Sequence, residues 1–326
     1  MSEKTNGQSI LDITRNRVLK SSSFNIFLVL LLMCIAMYIV SEPFRSIDNV
    51  LAIARNFSSY ATTGVGVSLV IISGGIDLSL GSVFGLAGVI SCMGMVNFGL
   101  PVFPSILLGL AAGALFGLFN GVLVVKAKLP PFIATLGTLS IARSLCYILT
   151  EGYPVTGVDT RFLFLGQGYI AGIPTPIWIM AIVAVIFAIF LNQTVTGRRI
   201  YALGGNEEAT RISGISVNKI KVLTYTLCSL LAAFAGIITA SRLGIGQPTA
   251  GQGFEMDAIA AVIIGGASLD GGEGTVTGTI LGAAIMGVLR NALVLLSIKS
   301  HWQSLIIGFV IIIAVTADQL KKSRGK

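Results

Sequence analysis

Charged side chains are scarce in this chain and they cluster, so the first question is what chemistry the clusters could perform. The densest group lies in YALGGNEEATRISGISVNKIK, residues 201 to 221, which gathers Glu207, Glu208, Arg211, Lys219 and Lys221. Acid–base or covalent catalysis would need a base beside a nucleophile, and this stretch has neither histidine nor cysteine. The single histidine, His301, stands at the end of an apolar run and reads as a boundary residue. Cys34, Cys92, Cys146 and Cys228 are scattered singly in apolar stretches without metal-ligand spacing, which makes them small core residues and implies no disulfide framework. A phosphate-cradling loop requires Gly, four residues, then Gly-Lys and Ser or Thr. The glycine-rich GGASLDGGEG lacks that lysine and carries two carboxylates, which would repel phosphate. The expectation is a non-enzyme that binds no metal and no cofactor directly.

The polar stretch carries the marks of a short helix instead. In NEEATRISGI, Asn206 can cap the start, Glu207 and Glu208 suit the positive N-terminal end, and Gly214 can end it. Glu207 and Arg211 lie four apart and can pair. Gly204 and Gly205 let the chain turn into the helix. A helix this short is unstable alone in water and needs another surface to lie against.

The remaining carboxylates of interest sit at glycine-rich interruptions of apolar sequence: Asp77 in SGGIDLSLGS, then Asp257, Asp270 and Glu273. Ionisable groups inside a bilayer are costly and are therefore functional candidates. Asp77 could line or gate a path by orienting Ser73, Ser79 or Ser82, or it could cap the helix that follows. Gln247, Pro248, Thr249 and Asp257 form either a gating outer loop or a plain surface loop, and Asp270 joins them as a path candidate. None of these carboxylates lies at a clear span midpoint, which argues against a carrier driven by protons or sodium. An uncharged solute needs only hydroxyl, amide and aromatic partners. Arg143, well inside an apolar run, has no role that the sequence assigns.

The elements that must position these residues follow from composition. Of 326 residues 54% are hydrophobic and 11% charged, against roughly 25% charged in soluble domains. Water cannot be the solvent for most of such a surface. Crossing a hydrocarbon core takes about 20 mainly apolar residues, and ten intervals qualify: 23 to 40, 58 to 75, 79 to 98, 104 to 125, 131 to 149, 175 to 192, 220 to 240, 257 to 270, 274 to 295 and 302 to 318. The third, eighth and ninth are interrupted by glycine-rich linkers, and one of them could be broken or re-entrant.

With both ends inside, the inner segments collect Lys4, Arg15, Arg17, Lys20, Lys126, Lys128, Arg198, Arg199, Arg211, Lys219, Lys221, Lys321, Lys322, Arg324 and Lys326, the majority of the 22 basic residues, as the positive-inside rule expects. The net charge of +8 therefore sets orientation and does not mark a nucleic-acid binder. Gly109, Gly113, Gly117 and Gly121 recur every four residues as a close-packing stripe. VIISGGIDLSLGSV, residues 70 to 83, can be laid on VIIGGASLDGGEGTV, residues 262 to 276, bringing Asp77 onto Asp270; this is either the echo of a duplication or a chance match of glycine-rich sequence.

The run Glu208, Ala209, Thr210, with Gly214 four places on, resembles the Glu-Ala-Ala signature on the cytoplasmic coupling loop of ATP-binding-cassette (ABC) importer permeases. It departs in having threonine for the second alanine and in lacking a following proline. Together with GRRIYALGGNEEATRISGI, ISGGIDLSLGS, FIATLGTLSIARS and GQPTAGQGFEMDAIAAVIIGGASLDGGEG, the chain resembles the ribose-type permease family of carbohydrate importers. The resemblance implies an all-α polytopic protein of the bacterial inner membrane with about ten transmembrane helices, glycine-rich broken segments and a cytoplasmic coupling helix. It would have a cytoplasmic segment at 1–22, one transmembrane domain at 23–318 with its coupling loop at 193–220, and a cytoplasmic tail at 319–326.

The implied partners are an ABC ATPase that uses ATP and Mg, a periplasmic sugar-binding protein and a second permease copy, a homodimer. The implied cargo is a monosaccharide: ribose, allose or a similar aldose. The implied coupling residues are Gly204, Gly205, Asn206, Glu207, Glu208, Ala209, Thr210, Arg211 and Gly214. The competing readings are a proton- or sodium-coupled secondary sugar carrier and a membrane scaffold.

Overall fold

The computed structural model describes residues 22–323; the basic residues at 4, 15, 17, 20, 324 and 326 lie outside the described residues. The chain runs α1 (Ser22–Val40), a 3₁₀ turn (Pro43–Arg45), α2 (Ile47–Ile72), α3 (Leu80–Val96), α4 (Val102–Val125), α5 (Pro131–Thr150) and the single-turn α6 (Phe164–Gln167). A hairpin follows, β1 (Tyr169–Ile170) and β2 (Ile173–Pro174), with Tyr169 opposite Pro174 and Ile170 opposite Ile173. Then come α7 (Thr175–Gln193), α8 (Val195–Gly205), α9 (Glu207–Ile212), α10 (Val217–Leu243), α11 (Phe254–Ile264), α12 (Val276–Leu295) and α13 (Ser300–Ser323). The small hairpin corrects the all-α expectation in detail: at Ala171 and Gly172 the backbone takes positive φ, which closes a tight turn where another helix would have to begin.

Among the described residues six helices, α1, α4, α5, α7, α10 and α12, are long and apolar enough to cross a membrane. Each of the ten apolar intervals overlaps a helix, but the eighth is not one continuous span. Its helix α11 has 11 residues and ends at Ile264, before the glycine pair Gly265 and Gly266. At 1.5 Å per residue it is roughly 16 Å long, about half of a 30 Å hydrocarbon core.

The centre of the bundle is α10, which packs on α4, α3 and α2, while α2 also meets α12 and α11. The glycine stripe on α4 makes the α4–α10 contact possible. A Cβ on Gly117 or Gly121 would press on the backbone of Thr226 or Val222 in α10, so only glycine lets the two helices approach this closely. The rim of the molecule is the reverse of a soluble protein's. Leu32, Leu115, Ile182 and Phe309 point outward and are mostly exposed, whereas Thr62, Ser68, Asn120 and Ser229 are buried. An apolar rim around a partly polar interior is what a bilayer solvent selects.

Candidate functional site

Two helix breaks meet at one end of the bundle. At the end of α2, Gly74 N–H donates to Ile71 O (2.9 Å) and Gly75 N–H to Val70 O (2.9 Å). At the end of α11, Gly266 N–H donates to Ile263 O (2.8 Å) and Ala267 N–H to Val262 O (3.1 Å). Gly74 and Gly266 both take the left-handed backbone, φ +80° and +86°. The sequence echo is therefore a real geometric repeat over Val70–Gly75 and Val262–Ala267: the same helix stop built twice. Beyond it the match fails, because Gly81 lies inside α3 whereas Gly274 lies in an extended linker.

Helix α8 rests on both breaks. Its Gly204 leaves no room for a side chain, since a Cβ there would collide with Ile72 O and Gly272 N. Those two atoms are themselves bonded, Gly272 N–H to Ile72 O at 2.8 Å. Tyr201 Oη, one turn earlier on α8, donates to Gly274 O at 2.8 Å. Gly204 and Gly205 are thus the last residues of a helix, which corrects the expectation that they form the turn into α9. The turn falls on Asn206, in extended backbone at φ −160° and ψ 106°. Gly204 is required for close approach to the breaks, and the chain can turn at Asn206 without it.

The polar stretch is therefore two helices, α8 and α9. Asn206 Oδ1 accepts Ala209 N–H at 2.9 Å, the cap read from the sequence, and Gly214 closes α9 at φ +77°. Thr210 is buried, its hydroxyl donating to Asn206 O, and Glu208 lies 3.7 Å from Arg211. Glu207 pairs with Arg211 at 3.0 Å and also with Lys221 of α10 at 2.6 Å. The Lys221 bond, with Arg211 beside it, holds the Glu207 carboxyl below its ordinary range, although partial burial pushes the other way. Ile212, at the free end of α9, is 79% exposed.

Asp77 is buried between α3, α4, α5 and α10. Its Oδ1 accepts Ser79 N–H at 2.9 Å and Ser79 Oγ at 2.7 Å, and Oδ2 accepts from Ser229 Oγ at 3.4 Å. Asn120 Nδ2 donates to Ser79 Oγ (2.8 Å), and Thr138 Oγ1 donates to Asn120 Oδ1 (2.7 Å). The carboxylate holds the backbone that enters α3 and at the same time ties four helices into one chain of hydrogen bonds. Ser73 stands apart, donating to Val70 O and lying 3.4 Å from Thr224 Oγ1. Asp270 is exposed in the second break, on the α8 face, and does not join Asp77. Asn120 and Thr138 were not singled out by the sequence reading. An amide inside the glycine stripe was the available signal.

Inside the bundle, Arg143 finds the partners that the sequence withheld. Its Nη1 donates to Pro248 O (2.7 Å) and Ala250 O (2.8 Å), and its Nη2 to Gly81 O (3.3 Å). Pro248 and Ala250 thus strap the segment 244–253 against the start of α3, while Thr249 stays exposed; Gln247 Nε2 donates to Thr249 Oγ1 at 2.8 Å. Asp257 is no loop residue. It lies buried in the first turn of α11, paired with Arg290 of α12 at 2.5 Å. Beside this pair opens a cavity of about 420 Å³ between α2, α10, α12 and residues 247–251.

A ring of exposed apolar helices, a bonded polar interior and two helix breaks seated on a polar helix pair define a polytopic membrane permease. A family model described as branched-chain amino acid transport system / permease component matches residues 49–315. The chain belongs to that family. It is 47% identical over 296 residues to the ribose import permease of Haemophilus influenzae, covering 90% of this chain and 91% of that one. It is 44% identical to a probable ABC transporter permease of Sinorhizobium fredii (80% and 78% covered) and 35% identical to the L-arabinose transport system permease of Escherichia coli (92% and 91% covered). No solved structure matches the chain.

Proposed function

We propose that this chain is the permease subunit of an ATP-driven importer for a pentose of the ribose kind. The observation that carries the reading is similarity along about nine-tenths of the chain to permeases named for ribose and arabinose, in a family whose description names amino acids. Both sugars are pentoses, so the relatives support that class and not allose. The relationship to an ABC transporter permease speaks against a proton- or sodium-coupled carrier.

The remaining parts follow from the chemistry of the chain. ATP and Mg are handled by a partner ATPase that seats on α8 and α9 through Glu207, Glu208, Arg211 and the exposed Ile212, and a second permease copy completes the path. A periplasmic binding protein meets the opposite end, near residues 247–249. The basic residues Lys126, Lys128, Arg198, Arg199, Lys219 and Lys221 belong to the segments around α8 and α9, which supports a cytoplasmic orientation for that face and, with an even number of crossings, for both ends of the chain. The remaining four crossings are completed by α2, α3, the broken α11 and α13, which makes ten.

The test is uptake of labelled ribose into vesicles containing the permease with its ATPase and binding protein. Uptake is expected to survive an uncoupler and to stop when the ATPase cannot hydrolyse ATP. Uptake that collapses with the uncoupler and persists without the ATPase would establish the secondary carrier instead.

A further inference from the structure

The cavity between α2, α10 and α12 has the chemistry of a sugar site. About 420 Å³ lies within the range of small-molecule pockets, roughly 300–1,000 Å³. One wall is aromatic: Tyr60 stacks on Phe254 with ring centroids 4.8 Å apart, and Phe84 lies 4.5 Å from the same ring. Such a wall suits the C–H face of a pyranose or furanose. The rest of the lining is polar and includes two guanidiniums, Arg242 and Arg290. Ser59 and Thr239 present a hydroxyl pair at 3.3 Å, and Gln303 reaches in from α13.

The two guanidiniums at the cavity are already engaged, Arg242 with Asn56 and Arg290 with Asp257. Arg290 Nε remains buried and without a hydrogen-bond partner among the described residues. No carboxylate lines the cavity among the described residues, so a cation or an ammonium group finds no counter-charge there. A free amino acid, which presents an ammonium and a carboxylate together, fits this lining poorly, and a neutral polyol fits it well.

The position adds a mechanical argument. Helix α2 walls the cavity with Asn56, Ser59 and Tyr60, and at its other end Ile72 O bears on Gly204. Helix α12 walls it with Arg290 and Asn291, and it leaves the linker whose Gly274 O holds Tyr201. A displacement of α8 therefore reaches both walls along rigid helices.

We propose that each copy of the permease holds one neutral monosaccharide in this cavity during transit. The proposal rests on the sugar-import reading, but binding can be tested without transport. Ser59→Cys and Thr239→Cys, two conservative changes at the hydroxyl pair, are placed singly in the full permease with its ATPase in lipid nanodiscs. Reaction of each new thiol with a small charged alkylating reagent is followed by peptide mass spectrometry, which reads the native cysteines separately.

Millimolar D-ribose is expected to slow modification at both positions severalfold, whereas ribose 5-phosphate and L-leucine leave the rates unchanged. Equal rates with and without ribose, in a preparation whose unsubstituted form imports ribose, overturn the transit site. Protection by leucine or by the phosphate also overturns it, in favour of an amino-acid or anion site. Protection by ribose in a complex that hydrolyses ATP but never imports ribose leaves the transit site standing and overturns the importer.

Discussion

Arg143 and Asp77 show what single charges accomplish inside an apolar bundle. Arg143 makes no direct ion pair among the described residues, although the Glu255 carboxylate lies within reach of its field; its hydrogen bonds go to three backbone carbonyls, Pro248, Ala250 and Gly81. Hydrogen bonds to charged groups are worth about 1.5–3 kcal/mol each, and an orphaned carbonyl costs a similar amount. Arg143→Met should thus cost several kcal/mol and free the 244–253 segment, and Arg143→Lys should recover only part of this because an ammonium lacks the planar fork. Limited proteolysis between 244 and 253, together with thermal unfolding in detergent, measures both effects. Asp77→Asn keeps an oxygen for Ser79 N–H and should be mild, whereas Asp77→Leu breaks the chain through Ser79, Asn120 and Thr138 and should lower the unfolding temperature far more.

Glu207 provides a pH test at the same scale. Its folded carboxyl titrates below the ordinary range, so its contribution is complete above that range and is lost as pH falls through the depressed value. Because its side chain is 41% exposed, the contribution stays under about 1 kcal/mol. The stability gap between the native chain and Glu207→Gln is therefore expected at neutral pH and should close in acid. A gap that persists unchanged in acid would contradict the ion-pair origin.

Among the elements, α8 is the one through which the polar face reaches the bundle. Gly204 touches the ends of two spanning segments at once, and any side chain there must push Ile72 O and Gly272 N apart. Gly204→Val should cost about 1–3 kcal/mol from overpacking and should separate ATP hydrolysis from uptake. Gly205→Ala, where a Cβ meets nothing, should leave both intact. Parallel measurement of ATPase rate and ribose uptake separates these outcomes. On α9, Glu208→Lys and Gly214→Leu are expected to leave the protein inserted but uncoupled, and normal transport in the well-expressed double variant would count against the docking role of this helix.

For the molecule as a whole, the apolar rim defines the solvent. Leu115, near the middle of α4, is 64% exposed. Leu115→Lys places an ammonium near mid-bilayer, at about 2.5–3.5 kcal/mol on insertion scales. It should therefore reduce the membrane-inserted fraction, as read by fractionation and accessibility labelling, more than the same change at exposed Ile212. The molecular scale also joins the two ends: α2 and α12 run from the breaks under α8 to the walls of the cavity, so a load applied at one face is felt at the other.

Composition alone required a bilayer, and local spacing alone placed the apolar intervals, the Asn206 cap, the Glu207–Arg211 pair, the Gly214 stop and the glycine stripe, because each depends on residues within a turn or two of one another. Even the duplicated helix stop was readable, since Gly74 and Gly266 are dictated by the same short run. Only tertiary structure decided that Lys221 completes the Glu207 site, that Arg290 answers Asp257, that Arg143 straps a loop, and that Gly204 serves contact rather than turning. Those partners lie far apart in the chain, and hydrogen bonds and steric exclusion act through space, so nothing in local sequence spacing encodes which distant groups the packed helices bring within reach.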